Sequence, residues 1–400
     1  KQLNALKEFK TILETYKEID FSQRKAALAT VVQVKGSSYR SPGARMLMLD
    51  NGRWVGSISG GCLEGDALRK SRKVIMSNEP QTVTYDTTDD DDNKLGIGLG
   101  CNGIIDILIE PIDPKAEHNP IKQIESFLEY KNYGVVATVF ESTDNETIKV
   151  GDKAILMPDG NIYSTNTTGL TQLLNEDLAS ILNSRKSETK SYSSGKVKVF
   201  FEVIQPGINL LIFGGGFDAK PVTELANVLG WNVTVSDECV AHLIPINFPK
   251  ADQMVSCQRD FVAKEFDISP FTAIVLMSHN LNYDKEVIMQ IIESEAAYIG
   301  ILGPKNRAEK LIAHMENNGI EMTEETKHKL HYPIGLDIGA ETPDEIAVSI
   351  ISEIQAKFSN RTGGFLKYRK GPIHYKDSKN DQVFKQVYLK NFFPNKKSSS

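Results

Sequence analysis

Cysteine is scarce in this sequence. Four occur in 400 residues, Cys62, Cys101, Cys239 and Cys257, and no two form a Cys-x-x-Cys pair. That removes a zinc ribbon or an iron–sulfur cluster readable from spacing, and the thiols are expected to be reduced and intracellular. Long apolar runs are missing as well: none approaches the ~20 residues that cross a bilayer, so no membrane partner is expected. Residues 1–20 lack the continuous apolar segment of a signal peptide and read as an amphipathic helix, with Leu3, Leu6, Phe9, Leu13 and Tyr16 on one side. A cytoplasmic location is the expectation. The seven histidines are scattered. Their one close pair, His328 and His331, lies in a charged segment that reads as a solvated face, and no metal site is expected.

An excess of positive charge is lacking too. The net charge is −6, which argues against a nucleic-acid partner. Residues 361–400 are the exception, with ten Lys/Arg against two Asp/Glu; because those charges are scattered, a solvated basic extension is expected there. The chain is too long for one ordinary core and long enough for two. The expected division is an N-terminal α+β domain over 1–206, a second, α/β domain over 207–360 and the basic extension over 361–400. Cys239 and Cys257 have no special setting and read as structural.

The first half alternates irregularly. Residues 26–34 are β-prone, and 44–49 followed by Asn51-Gly52 and 53–58 read as a hairpin. Residues 63–77 have helical spacing. The stretches 82–85 and 104–110 read as strands around an acidic, glycine-rich loop holding Asp89 to Asp92. Further strands are expected at 134–140, 153–157 and 196–204, with helices at 121–130 and 170–182. Pro206-Gly207 then punctuates the chain. Beyond it strands (209–213, 232–236, 253–256, 273–277, 298–302) alternate with helices (219–229, 283–294, 305–317), which implies right-handed βαβ units and a parallel sheet. The fold class is therefore α/β, a C-terminal Rossmann-type parallel sheet preceded by a mixed α+β domain.

Gly214-x-Gly216-x-x-Ala219 directly follows the apolar strand 209–213 and opens a helix. In that context Gly214 permits a tight turn, Gly216 lets backbone approach a phosphate, and Ala219 lets the helix pack close. The helix start offers free N–H groups to an anion. Asp237 ends the second strand, where an acid binds a ribose hydroxyl. His279 follows a later strand and projects from the same edge, as acid, base or orienting donor, or as a plain helix-capping loop residue. Lys305 and Arg307 beside a helix start read either as an anion site or as a basic helix start. Thr342-Pro343-Asp344-Glu345 is a capping box.

Two cysteines of the first half sit between glycines. Gly60-Gly61-Cys62-Leu63-Glu64 places a thiol where a loop meets a helix start, a setting that favours thiolate. Gly98-Leu99-Gly100-Cys101-Asn102-Gly103 does something similar ahead of a strand. Core cysteines need no such backbone freedom, so both read as functional. A third loop, 36–45, carries hydroxyls, an aromatic and the guanidinium groups of Arg40 and Arg45, a set suited to an anionic, hydrogen-bond-rich heterocycle.

These motifs carry a resemblance. GSSYRSPGARM, GSISGGCLEGDAL and GLGCNG, then LLIFGGGFDAKP, MSHN, YIGILGPKNR and PIGLDIGAETPDEIA, resemble the XdhC/CoxI family, accessory proteins of xanthine dehydrogenase and carbon monoxide dehydrogenase, over residues 26–356. The resemblance implies a maturation factor that binds molybdenum cofactor (molybdopterin or its nucleotide form). It further implies protection of that cofactor during sulfuration and insertion into an apo xanthine dehydrogenase-type enzyme, with a cysteine desulfurase as a further partner; a homodimer is expected only because it is the commonest assembly. Carried onto this chain, Cys62 and Cys101 would be the thiols at the cofactor site with Glu64 beside them. Gly60, Gly61, Arg40 and Arg45 would bind cofactor there, and Gly214, Gly216, Asp218 and Asp237 would do so in the Rossmann half. Two other functions remain open on the residues alone: an NAD(P)-dependent oxidoreductase using His279 and Asp237, and a sulfur relay through Cys62 and Cys101.

Overall fold

The computed structural model describes residues 2–36, 38–86, 103–116, 119–143, 147–166 and 169–369. Cys101, the acidic run 89–92 and nearly all of the basic extension lie outside the described residues. Contacts divide the chain at Pro206/Gly207 into two units.

The first unit contains the same chain path twice. A helix, Gln2–Lys17, leads into β1 (Ala26–Gly36), β2 (Arg45–Leu49) and β3 (Trp54–Gly56), then a helix, Glu64–Ser77, then β4 (Gln81–Asp86) and β5 (Gly103–Ile112). A shorter helix, Pro120–Glu125, leads into β6 (Gly134–Ser142), β7 (Lys153–Leu156) and β8 (Ile162–Ser164), then the helix Leu170–Ser184, then β9 (Glu188–Tyr192) and β10 (Val197–Ile204). The spatial orders are β3-β2-β1-β5-β4 and β8-β7-β6-β10-β9, one permutation written twice. All pairings are antiparallel.

Period-two alternation gives each sheet two apolar faces. Ala27, Ala29 and Val31 pack with Leu63, Ala67 and Val74 at the helix Glu64–Ser77. Val135, Ala137 and Val139 pack likewise with Leu170, Leu174 and Leu178. The opposite faces meet through Val32, Leu108, Phe140 and Phe200. The unit is thus a helix–sheet–sheet–helix sandwich.

Matching positions of the two copies face each other across the sheet interface. β1 bulges at Val32 against β5, and β6 bulges at Phe140 against β10. A bulge leaves a carbonyl outside its own ladder. Each is recovered by a threonine from the other copy's edge strand: Thr189 donates to the Val32 carbonyl at 3.2 Å, and Thr82 donates to that of Phe140. Arg45, first residue of β2, bonds Glu202 on β10 with both terminal guanidinium nitrogens, and Lys153, first residue of β7, bonds Glu110 on β5. Arg45 Nη1 also donates at 2.8 Å to the carbonyl of Gly43, and Lys153 Nζ at 3.4 Å to that of Gly151. These glycines have φ of 93° and 91°. All four charged side chains are buried, around a cavity of about 20 Å3.

Arg45 is therefore a correction to the expectation that it binds cofactor. Its Cα belongs to the motif loop, but β2 alternation turns its side chain into the sandwich, where Glu202 takes up its charge.

The second unit holds β11 (Asn209–Phe213), β12 (Asn232–Asp237), β13 (Gln253–Ser256), β14 (Thr272–Leu276), β15 (Tyr298–Ile301) and β16 (Leu330–His331), in the order β13-β12-β11-β14-β15-β16. All five pairings are parallel. Strand order reverses between β11 and β14, so the crevice at their carboxyl ends is where such sheets bind ligands. The last long helix, Pro343–Phe358, begins with the Thr342/Glu345 capping box.

Two further expectations are corrected in this unit. His331 is no solvated residue: it closes the sheet on β16, stacks on Tyr298 with centroids 4.3 Å apart and bonds Glu353 at 3.0 Å. Cys239 is exposed, whereas Cys257 is buried as a structural thiol should be.

Removing one member of a buried ion pair strands the other charge. Arg45→Met is expected to lower stability by about 3 kcal/mol, and Arg45→Met with Glu202→Leu to recover most of it. Urea unfolding of both variants measures this, and a double variant no more stable than the single one would refute it.

Candidate functional site

Alternating directions in the first sheet bring two motif loops to one end, residues 38–44 between β1 and β2 and residues 57–63 between β3 and its helix. β4 ends and β5 begins at that same end, and the motif between them lies outside the described residues.

Residues 57–63 are wrapped around one carboxylate. Glu64, the first residue of its helix, is 4% exposed. Its Oε1 accepts from Ser57 Oγ at 2.8 Å and from the N–H groups of Ile58, Ser59 and Gly60 at 3.1, 2.9 and 3.2 Å. Its Oε2 accepts from Ser59 Oγ and from the N–H groups of Gly61 and Leu63 at 3.0 and 3.2 Å. Converging so many N–H groups needs a backbone that curls, and Gly60 and Gly61 supply it at φ of 116° and 121°. Burial alone would raise the carboxyl's pKa, but the bonds from Ser59, Ser57 and Gly60 hold it down to about 2. The expectation for Glu64 is a polar group beside a cofactor; in place, its hydrogen-bonding capacity is filled by its own loop. Cys62, within that loop, is half-buried with a free thiol.

The neighbouring loop is pinned to this one. Arg40 bonds Glu8 of the first helix, and Glu8 also accepts from Ser57 N–H at 2.8 Å. Arg40 thus reaches the Cys62 loop through a carboxylate. Tyr39 is 67% exposed, and a Cβ on Gly60 would lie 2.7 Å from its ring.

In the second unit, the glycine turn is fitted to its surroundings by the side chains it lacks. Gly214 has φ of 125°, and a Cβ there would lie 2.6 Å from backbone atoms of Met277 and Ser278 at the end of β14. A Cβ on Gly215 would meet His242 at 2.9 Å, and one on Gly216 would meet Asp218 Oδ1 at 2.9 Å. Asp218 Oδ2 lies 2.8 Å from His279 Nε2. The other oxygen, Oδ1, is buried without a hydrogen-bond partner among the described residues. His279 holds a left-handed backbone, φ 56°, a conformation that side chains such as histidine adopt at a cost and that often marks a working site.

A polar network supports His279. Asn280 caps the helix Leu281–Ile291 by accepting from Asn282 and Tyr283 N–H. Ser278 Oγ donates to the fully buried Asp284, whose other oxygen accepts from Arg307 at 2.7 Å. Burial raises the Asp284 pKa, against the Ser278 and Arg307 bonds. Arg307 is therefore a tie between helices and not an anion receptor. Asp237 is engaged as well: Oδ2 accepts from Gly215 N–H and lies 2.9 Å from His242 Nδ1, and Oδ1 accepts from Cys239 N–H. With three of the roughly four acceptor sites of its carboxylate filled and the residue 5% exposed, Asp237 has little left to offer a ribose hydroxyl.

The structure brings Cys62, Glu64, Gly60, Gly61 and Arg40 together in the first unit, and Gly214, Gly216, Asp218, Asp237 and His279 in the second. Sequence reasoning missed His242, Asp284 and Phe217. The last is an aromatic 81% exposed within the glycine turn, a sign available from its place inside GGGFDA. Among the described residues, no group of three or more His, Cys, Asp or Glu could hold a metal ion, and no helix is long and apolar enough to cross a membrane.

Comparison with known proteins places both sites within family matches. Residues 22–86 match the XdhC and CoxI family, and residues 210–354 match the XdhC Rossmann domain. The chain is 31% identical over 349 residues to a protein of Bacillus subtilis (strain 168) described as a probable xanthine dehydrogenase subunit, covering 86% of this chain and 96% of that protein. It is 22% identical over 347 residues to the molybdenum cofactor insertion chaperone PaoD of Escherichia coli (strain K12), covering 87% and 88%. A solved structure described as a xanthine dehydrogenase from Bacillus halodurans aligns with a TM-score of 0.71 at 28% identity, over 89% of this chain and 97% of that one.

The depressed Glu64 pKa has a stability consequence with a definite sign. A carboxyl whose folded pKa lies below its unfolded value contributes stability above the unfolded pKa and loses it as pH falls toward the folded one. Glu64→Gln is expected to cost about 3 kcal/mol at pH 7. The deficit should shrink as pH falls from about 4.5 toward 2. Urea midpoints of both proteins between pH 7 and pH 3 test this; a deficit that ignores pH would count against it.

Proposed function

The chain belongs to the XdhC and CoxI family, and from that premise we propose that it is an accessory factor that binds molybdenum cofactor for a xanthine dehydrogenase-type enzyme. It holds the cofactor during exchange of an oxo ligand for sulfur and aids its insertion into the apo-enzyme, acting in the cytoplasm as a homodimer with a cysteine desulfurase as sulfur source. The observation that carries this reading is the Glu64-centred loop, which presents Cys62 on a preorganised backbone.

The residues suit the group. Molybdenum cofactor carries a phosphate and, in one form, a nucleotide; Gly214, Gly215 and Gly216 form a turn packed too closely against Met277, Ser278, His242 and Asp218 for any side chain, and the helix start that follows it suits an anion. Asp218 Oδ1, buried and unpartnered, is an acceptor suited to a ligand N–H or O–H. Taken by itself, the first unit offers the Cys62 thiol, a soft neighbour of the kind the dithiolene and metal favour, and cofactor bound beside it would supply the molybdenum centre and its exchangeable ligand.

This chain's own residues do the holding. Gly214 and Gly216 let the helix start at Ala219 approach an anion, and the His279–Asp218 pair lines the same turn. Glu64 fixes the loop so that the Cys62 thiol is held near one position, which lowers the entropy lost when it meets a ligand. Arg40 and Glu8 keep the adjoining loop in place. A nicotinamide-dependent oxidoreductase draws no support from Asp237, whose oxygens already have partners in the chain.

Gel filtration of the purified protein mixed with molybdenum cofactor tests the reading. The expected result is co-elution of cofactor with the native protein and at least tenfold weaker retention by Cys62→Ala. No retention by the native protein, or equal retention by the variant, would overturn it.

A further inference from the structure

The loop that carries Arg40 also carries an aromatic ring whose placement is unusual for an exposed residue. Tyr39 is 67% exposed, yet its loop is not free. Arg40, the next residue, is tied to Glu8, and Glu8 accepts from Ser57 N–H, so the Tyr39 and Cys62 loops share one carboxylate anchor. The ring rests on Gly60. A Cβ built on that glycine would lie 2.7 Å from Tyr39 Cδ1, 3.0 Å from Cε1 and 3.1 Å from Cγ. For a point level with the ring and outside its edge, the two flanking carbons would be much farther away than the nearest one. Their near equality places the Cβ position above the ring face. One face of Tyr39 therefore lies on a backbone position kept bare of side chain, and its other face is the exposed one.

An aromatic held flat by one face, with the other presented to solvent and a free thiol two residues beyond the glycine it rests on, is a platform for a planar ligand. A tyrosine that served only packing would bury both faces. We propose that Tyr39 is the stacking residue for a flat, hydrogen-bonding heterocycle of the pterin class bound beside Cys62. This rests on the cofactor-binding reading above and adds to it the residue that selects the ring. Tyr39 contributes its π face, Cys62 its sulfur to the atoms beyond the ring, and Gly60 the absence of a side chain that would tilt the platform.

The test uses the full chain loaded with molybdenum cofactor, with cofactor loss on dilution followed by pterin fluorescence after release. Tyr39→Leu keeps apolar bulk without a π face and is expected to lose cofactor about tenfold faster, the order that one aromatic stack is worth. Tyr39→Phe should retain it within about twofold, since stacking needs the ring and not the hydroxyl. Thermal melting of each variant checks the fold, and the rate of Cys62 alkylation without cofactor checks that the loop is intact. Retention by Tyr39→Leu equal to that of the native protein overturns the stacking role and leaves cofactor binding standing. So does equal weakening by Tyr39→Leu and Tyr39→Phe. If the native protein itself retains no cofactor, the binding reading fails and this assignment falls with it.

Discussion

The Glu64 carboxylate decides the shape of everything around Cys62. Five backbone N–H groups and two hydroxyls converge on it. A loop of seven residues would otherwise sample many conformations, each residue fixed costing about 1–2 kcal/mol of backbone entropy. The carboxylate offsets that cost by satisfying nearly every donor the loop owns, and Gly60 and Gly61 make the required curl reachable. A thiol on such a loop is presented to a ligand without further ordering. The helix start is used twice over: its first residue supplies the anion, and the loop that precedes it supplies the donors.

The duplicated sandwich shows how particular this arrangement is. Both copies place a loop between their third strand and the following helix. In the first copy the first helical residue is Glu64; in the second it is Leu170, fully buried in that copy's core. Features the two copies share are those that hold the sheets together: the bulges at Val32 and Phe140, the threonines that answer them, and the cation–carboxylate pairs from Arg45 and Lys153. Features confined to one copy are the carboxylate-centred loop, its cysteine and the exposed Tyr39. Shared elements thus serve packing, and the unshared ones gather at the end of the first sheet that carries the family-matched motif loops. The same division explains why Arg45, inside a motif-rich loop, is structural: its partner position in the other copy, Lys153, makes the equivalent bond.

Much of this was legible in the sequence. The parallel sheet of the second unit follows from strict alternation of apolar runs and amphipathic segments, and its glycine turn from context. Strands β8 and β9 escaped because they are short, polar edge strands, Ile-Tyr-Ser and Glu-Thr-Lys-Ser-Tyr, with little burial to impose a pattern. β16 is two residues long and is placed by the stacking of His331 on Tyr298, a contact between distant segments. The duplication left traces in Ala29-Thr30-Val31 against Ala137-Thr138-Val139 and in Gly43-x-Arg45 against Gly151-x-Lys153. Different inserts separate these traces, so no fixed period reveals them. Side-chain direction was the other gap. Arg45 and Arg307 sit in motifs that look anion-seeking, yet each is claimed by a carboxylate far away in sequence, Glu202 and Asp284.

The second unit bends a familiar turn to a different use. In a dinucleotide site the acid at the end of the second strand is left to accept ribose hydroxyls. Here Asp237 is bonded by Gly215, Cys239 and His242, so it braces the glycine turn from below. The free acceptor has moved to Asp218 Oδ1, inside the turn itself, on a carboxylate shared with His279. That displacement shifts the polar recognition from the far end of a nucleotide toward the atoms nearest the turn. A ligand that used both features would meet the helix start with its anionic end and Asp218 with a neighbouring donor.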